Sequence, residues 1–107
     1  IQMAHNRKCS LINDECYQYE YNNQVSAYDW VVSQADYQDI MNNAKQEWGD
    51  DYEMAKYKYN NQVEAYEWVM NQTEYLNIMN NALSKWGEDY EMVKYEYENQ
   101  VEAYNNL

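Results

Sequence analysis

The sequence has no proline, no phenylalanine and only two glycines among its 107 residues. Proline and glycine mark turns and loops, and collagen-like and disordered chains are rich in them. Their scarcity therefore argues against a loop-rich, a collagen-like or a disordered protein. The chain also lacks an apolar run of the ~20 residues that a membrane-spanning helix needs, so we predict no transmembrane helix.

Basic residues are scarce, with 7 Lys+Arg against 19 Asp+Glu and a formal net charge of -12. Such a chain repels nucleic-acid phosphates and anionic lipid headgroups, so we expect neither nucleic acid nor a membrane as a partner. We interpret the charge as a means of keeping an aromatic-rich protein soluble. Weak binding of a divalent cation such as calcium is the alternative, since carboxylates are ligands for hard cations.

Residues that carry chemistry are few. His5 is the only histidine, so no Ser-His-Asp or Cys-His set exists in the repeats described below, and two glycines do not make a phosphate-binding loop. The carboxylate pairs Asp50-Asp51 and Glu88-Asp89 precede predicted helices, where acids cap and complement the helix dipole. We therefore predict no enzyme, no catalytic residue, no cofactor and no metal site.

The two cysteines are Cys9 and Cys16. On a single helix their Cα atoms would lie about 10 Å apart, beyond the roughly 7 Å limit for a disulfide. A bridge therefore requires Cys9 to precede the helix and fold back. Asn71-Gln72-Thr73 is an N-glycosylation sequon. Together the two features favour an oxidising compartment, and we predict a secreted protein.

The strongest pattern is a repeat. The segment 19–56 aligns with 57–94 at an offset of 57 − 19 = 38, with 24 identical positions of 38, and a partial third copy occupies 95–107. A period of this length is typical of two-helix units that bury a shared core by stacking. We predict an irregular lead-in over 1–12 and one helical domain over 13–107.

Helical periodicity divides each unit into a long helix of roughly 21 residues and a short one of roughly 13. Gly49 and Gly87 follow the short helices, where a left-handed C-cap is expected. Thr73 is placed to cap the second short helix at its N-terminus. The predicted fold class is all-α, with tandem long-short repeats packed as a short solenoid or an irregular helical bundle.

Aromatic residues are abundant, with 14 Tyr and 4 Trp. We interpret most tyrosines as packed along helix seams with the hydroxyl at the rim. An alternative is oxidative cross-linking or adhesion through clustered phenols, as at Tyr17, Tyr19, Tyr21, Tyr95 and Tyr97. Leu76 and Leu83 replace Gln38 and Lys45 of the first copy and widen the apolar face of the second short helix. We favour burial of this face, and the alternative is a patch that contacts a partner.

The sequence favours a non-enzymatic, Tyr-rich structural or protein-interaction module that associates with itself or with another protein. Its partial third copy motivates this, since repeat arrays normally end in polar caps. The alternatives are a small-ligand carrier with an aromatic pocket and a weak calcium binder. The residues predicted to form that pocket or an interface are Trp30, Trp68, Tyr28, Tyr66, Leu76 and Leu83.

Overall fold

The computed structural model describes residues 14–107, and in this part of the chain every regular element is an α-helix. The helices are α1 (Asp14–Ser33), α2 (Gln38–Trp48), α3 (Tyr52–Met70), α4 (Leu76–Trp86) and α5 (Tyr90–Asn105). The all-α prediction is confirmed. The predicted lead-in, which includes His5 and Cys9, lies outside the described residues. No helix among residues 14–107 is long and apolar enough to span a membrane.

Long and short helices alternate along the chain, with 20, 11, 19, 11 and 16 residues. The contacts divide the chain into two compact units, Ile1–Tyr59 and Asn60–Leu107, and the boundary falls inside α3. We call them the first and second units.

Glycine ends each short helix with a tight turn. Gly49 has φ 57 and ψ −119, and Gly87 has φ 60 and ψ −116. The predicted positive φ is confirmed. The predicted left-handed helical conformation is wrong, because ψ is far from the ~+47° of that region. In the first turn the Asp51 N–H donates to Trp48 O at 3.0 Å. Glycine in this conformation at the second position is typical of a type II′ turn.

The short helices begin after a tyrosine in the left-handed conformation. Tyr37 has φ 54 and ψ 49, Tyr75 has φ 55 and ψ 47, and neither helix start has a side-chain cap. The predicted cap at Thr73 is therefore wrong. The Tyr75 carbonyl accepts from the Met79 N–H at 3.0 Å and starts the helix itself. Gln72 instead serves the preceding helix, since its Nε2 donates to Trp68 O at 3.0 Å.

Both units bury a small apolar core. In the second unit Val69, Met79, Ala82, Val93 and Tyr97 form one buried cluster. In the first unit the buried apolar residues are Ala27, Val31, Ile40, Met41, Ala44, Ala55 and Tyr59. These residues recur three and four apart along each helix, which is the spacing that places side chains on one helical face.

The two leucines of the second short helix have different environments. Leu83 is half-buried and packs against the core cluster. Leu76 is 56% exposed, so the burial expected for both leucines is wrong for Leu76. It is the first residue of α4, where the helix has only begun to cover its neighbours.

Candidate interaction surface

A buried glutamine connects the two long helices of the first unit. Gln24 on α1 is 0% exposed. Its Nε2 donates to Asp51 Oδ1 at 3.0 Å, and its Oε1 accepts from the Tyr52 N–H at 2.8 Å. Asp51 also accepts from the Met54 N–H at 3.3 Å and so caps α3. The amide thereby satisfies one of the N–H groups that a helix start leaves without a partner.

The second unit contains the same arrangement. Gln62 on α3 is 4% exposed, its Nε2 donates to Asp89 Oδ1 at 2.9 Å, and its Oε1 accepts from the Tyr90 N–H at 2.7 Å. Asp89 caps α5 by accepting from the Met92 N–H at 3.4 Å. The paired positions differ by 62 − 24 = 38 and 89 − 51 = 38. We call each such set a glutamine clasp. As the capping interpretation predicted, one acid of each carboxylate pair is an N-cap.

The chemistry of the clasp makes it selective for one end of a helix. A primary amide donates through nitrogen and accepts through oxygen, and when buried it needs partners of both kinds. A helix start with a capping aspartate offers both, because the carboxylate accepts and the next N–H donates. A helix end offers only carbonyl acceptors. The buried glutamine therefore recognises the start of a helix.

Aromatic pairs accompany each clasp. Tyr28 meets Tyr52 edge to face with ring centroids 5.0 Å apart, and Tyr66 meets Tyr90 in the same way at 4.9 Å. Further along the same helices, edge-to-face pairs join Trp30 to Tyr59 and Trp68 to Tyr97. Edge-to-face geometry is favourable because a positive ring edge meets a negative ring face.

The buried tyrosines also anchor the loop before each short helix. The Tyr59 hydroxyl donates to Asp36 O at 2.9 Å, and the Tyr97 hydroxyl donates to Glu74 O at 2.8 Å. Burial, and then the charge of the acidic residue, raises the pKa of each phenol above 10.0. Tyr59 and Tyr97 are thus packed between helices, as the sequence predicted for most tyrosines, whereas Tyr19, Tyr57 and Tyr95 are exposed.

The residues of the predicted aromatic pocket lie in separate contacts. The Trp30 ring has Lys56 Nζ 4.9 Å from its centroid, and the Trp68 ring has Lys94 Nζ at 5.0 Å. Tyr28 and Tyr66 pack on the tyrosines that begin the next long helix. A cavity of about 290 Å³ in the second unit has other walls, formed by Ile78, Asn81, Ala82, Lys85, Glu96 and Gln100.

Helix α5 carries a third copy of the glutamine in a different setting. Gln100 is exposed, and its Nε2 donates to Glu96 Oε2 of the same helix at 2.9 Å. Ala103 is exposed as well, whereas the equivalent Ala27 and Ala65 are 4% and 5% exposed. Leu107 is 101% exposed, whereas the equivalent Val31 and Val69 are 2% and 3% exposed. We call Gln100, Ala103 and Leu107 the open face.

Electrostatics at the open face centre on Glu96. Hydrogen bonds, first from Lys85 and then from Gln100 and Trp86, lower the pKa of this carboxyl from 4.5 to about 2. The Lys85 Nζ lies 2.8 Å from Glu96 Oε1. In the present structure the Gln100 amide thus has a carboxylate partner on its own helix in place of an aspartate on a following one.

The clustered tyrosines considered for cross-linking differ in exposure. Tyr19, Tyr57 and Tyr95 occupy equivalent positions and are 66%, 63% and 60% exposed. Tyr21 is 44% exposed, Tyr17 is half-buried and Tyr97 is buried, so the phenols proposed for cross-linking have unlike environments.

The structure describes the sequon and one of the two cysteines. Asn71 is exposed in the turn after α3. Cys16 is not a free thiol. Its pairing with Cys9 stays a prediction, since Cys9 is outside the part of the chain described. No group of three or more metal-ligating side chains occurs among residues 14–107.

The glutamine clasp was not predicted from the sequence. Its signal is the repeated Asn-Gln-Val at 23–25, 61–63 and 99–101, which places a polar residue in an otherwise apolar stripe. No protein-family model matches the chain, and comparisons with curated proteins and with solved structures give no match.

Proposed function

We propose that this chain is a non-enzymatic, secreted protein made of tandem 38-residue two-helix repeats, which acts as a structural or protein-interaction module by self-association. The contacts support the repeat. Clasps, aromatic pairs, loop anchors and glycine turns each occur at positions that differ by 38. Side chains that recur in this way serve packing, whereas a catalytic site is normally built once on a scaffold.

One observation carries the proposal of self-association. A stripe made of glutamine, alanine and a branched aliphatic residue is buried in α1 and in α3, but the counterparts Gln100 and Ala103 on α5, and Leu107 just after this helix, are exposed. An exposed stripe of small and apolar residues favours association with another protein surface. The α5 stripe keeps the small and apolar residues of the buried stripes. The surface is therefore suited to another protein.

Secretion is supported by two residues. Asn71 of the sequon is exposed and accessible to a glycosyltransferase. Cys16 is not a free thiol, as expected in an oxidising compartment.

Sedimentation velocity over a concentration series tests self-association. We expect the weight-average mass to rise above that of the monomer as concentration increases. Ala103→Lys should abolish the rise, because a charged side chain would be buried in the contact. Asn77→Lys is the control, since it adds the same charge at an exposed position of α4. A monomer at all concentrations, or equal effects of the two variants, contradicts the proposal.

A further inference from the structure

The turn that joins a long helix to the following short helix occurs twice and has the same geometry both times. In the first turn the Gln34 Nε2 donates to Trp30 O at 3.0 Å. In the second turn the Gln72 Nε2 donates to Trp68 O at the same distance. Each turn ends at a tyrosine in the left-handed conformation, with φ 54 in the first and φ 55 in the second. The two turns can therefore be compared position by position.

Side-chain hydrogen bonds connect the residues of the first turn. The Ser33 hydroxyl donates to Trp30 O at 2.7 Å and accepts from the Gln34 Nε2 at 3.2 Å. Gln38, the first residue of α2, reaches back with its Nε2 to Gln34 O at 2.8 Å. The side chain at position 38 thus lies against the middle of the turn, and the polar groups of the turn bond to one another.

The second turn has lost this set of bonds. Three of its side chains differ in chemical type from the first turn, where Ser33, Ala35 and Gln38 correspond to Asn71, Thr73 and Leu76. The Asn71 side-chain amide and the Thr73 hydroxyl are exposed and have no hydrogen-bond partner among residues 14–107. Leu76 is more than half exposed. The only N-glycosylation sequon of the sequence and an exposed apolar side chain therefore occur together in one turn and are both missing from the other.

We propose that Asn71 carries an N-linked oligosaccharide and that its first sugar, an N-acetylglucosamine, packs on Leu76. The proposal rests on the secretion of the chain stated under the proposed function, because this modification is made on secreted proteins. It goes further by assigning the sugar a contact and a contribution to the stability of the second unit.

The attachment joins two groups that the turn leaves accessible. The donor is an oligosaccharide linked through a diphosphate to a lipid. The Asn71 Nδ2 forms a bond to C1 of the sugar as the bond from C1 to the diphosphate oxygen breaks, the amide loses one proton, and the lipid diphosphate leaves with the electron pair. The Asn71 backbone N–H donates to Glu67 O and Trp68 O at 3.2 Å, and these bonds are unaffected by a sugar on the side chain.

Position places Leu76 beside the attached sugar. Gln38 shows that a side chain at this position reaches the middle residue of the turn. The equivalent middle residue of the second turn is Gln72, whose Cα is about 3.8 Å from that of Asn71. A pyranose ring has C–H groups on its faces, and covering apolar side-chain surface is favourable. The sugar on Asn71 thus takes the place of the hydrogen bonds that Gln38 and Ser33 make in the first turn.

The experiment compares the chain with and without one sugar. The full chain is secreted from a eukaryotic host, and its oligosaccharide is trimmed enzymatically to the single N-acetylglucosamine. The same chain from the bacterial periplasm is the sugar-free reference, since both compartments are oxidising. A matched control moves the sequon to the first turn by Ser33→Asn and Ala35→Thr, with Thr73→Ala, so that the sugar is placed beside Gln38. Intact mass gives the occupancy, and urea unfolding gives the folding equilibrium constant.

We expect the secreted chain to carry the sugar and Thr73→Ala to abolish it. The single sugar should raise the folding constant roughly fivefold, because covering about 40 Å² of apolar surface has an effect of that size. With Leu76→Gln the same sugar should change the constant less than about twofold. The moved sequon should likewise give less than about twofold, because Gln38 already bonds to the turn.

An unmodified Asn71 in the secreted chain overturns the proposal. So does an equal gain in stability with leucine and with glutamine at position 76, or an equal gain from the moved sequon, since the sugar then has no specific contact with Leu76. Self-association is read separately, by sedimentation of the sugar-free chain. A strict monomer that shows the gain at Leu76 removes self-association and keeps the sugar contact, and a rising mass without that gain does the opposite.

Discussion

In both units an ion pair joins the short helix to the long helix that follows it, but the acidic and the basic residue are exchanged between the units. In the first unit Lys58 on α3 pairs with Glu47 on α2 at 3.3 Å, and in the second unit Glu96 on α5 pairs with Lys85 on α4 at 2.8 Å. The positions correspond, since 85 − 47 = 38 and 96 − 58 = 38. The comparison teaches that the contact between a short and a long helix is fixed by position, while the sign of each charge is free.

The glutamine clasp differs from this ion pair because its chemistry is the same in both units. Gln24 and Gln62 are buried, whereas both ion pairs are partly exposed to water. Water screens the ion pairs and allows either orientation. A buried amide has no such alternative partner, so the residue type is specified. Burial therefore decides which repeated contacts tolerate change.

The largest expected effect is at the clasp. Gln62→Ala should lower the free energy of unfolding by about 2 kcal/mol, because the half-buried Asp89 carboxylate and Tyr90 N–H each lose a bond to the buried amide. Gln100→Ala, at the exposed third copy, should stay within about 0.5 kcal/mol. Urea unfolding of the two variants measures the difference. Equal costs would show that burial of the amide is not what gives the clasp its strength.

The second largest loss of stability is expected at the glycine turns. Gly49→Ala and Gly87→Ala should each cost about 2 kcal/mol, because an L residue is strained at positive φ with ψ near −119 or −116. A Cβ at either glycine has no atom within 4 Å, so the cost comes from the backbone alone. Asp50→Ala, beside the first glycine, is the control. A cost at only one glycine would break the equivalence of the two units.

Much of the fold could be predicted from the sequence. The all-α class, the approximate helix lengths and the positive φ of the two glycines follow from local patterns, which depend on neighbours three and four residues away. The starts of the short helices could not, since Tyr37 and Tyr75 occupy a conformation that side chains disfavour by about 1–2 kcal/mol. Contacts distant in sequence, such as Tyr75 with Tyr104, accompany that conformation.

The candidate surface was harder to predict than the fold. Gln24 and Gln62 look like ordinary polar helix residues, and only their partners 27 and 28 positions away show why they are buried. Tyr28 and Leu76, predicted to form a pocket or an interface because of their apolar character, are exposed, since apolar character does not distinguish a core position from a surface one. The repeat pattern indicates the composition of the open face, and only its buried counterparts in the folded chain show what such a stripe contacts.

A smaller effect on stability is expected at the ion pairs, whose exchanged charges can be tested directly. Glu47→Lys alone should cost a few tenths of a kcal/mol, and adding Lys58→Glu should restore most of it, because the first unit then has the orientation of the second. The coupling free energy from a double-mutant cycle should be about 0.5 kcal/mol. A coupling of zero at both low and high salt would show that the pair is only a coincidence of two flexible side chains.

The smallest effect at neutral pH is expected at Glu96, and it should grow in acid. Since folding lowers the pKa of Glu96 from 4.5 to about 2, its contribution to stability is fully present above 4.5 and is lost as the pH falls toward 2. Unfolding free energy measured across this window should therefore fall more steeply for the native chain than for Glu96→Gln. Glu98→Gln, an exposed neighbour, is the control. The first unit has Lys58 at the equivalent position, and a lysine stays charged throughout this range. Parallel curves for the native chain and Glu96→Gln would mean that the bonds from Lys85, Gln100 and Trp86 do not hold the carboxylate in solution.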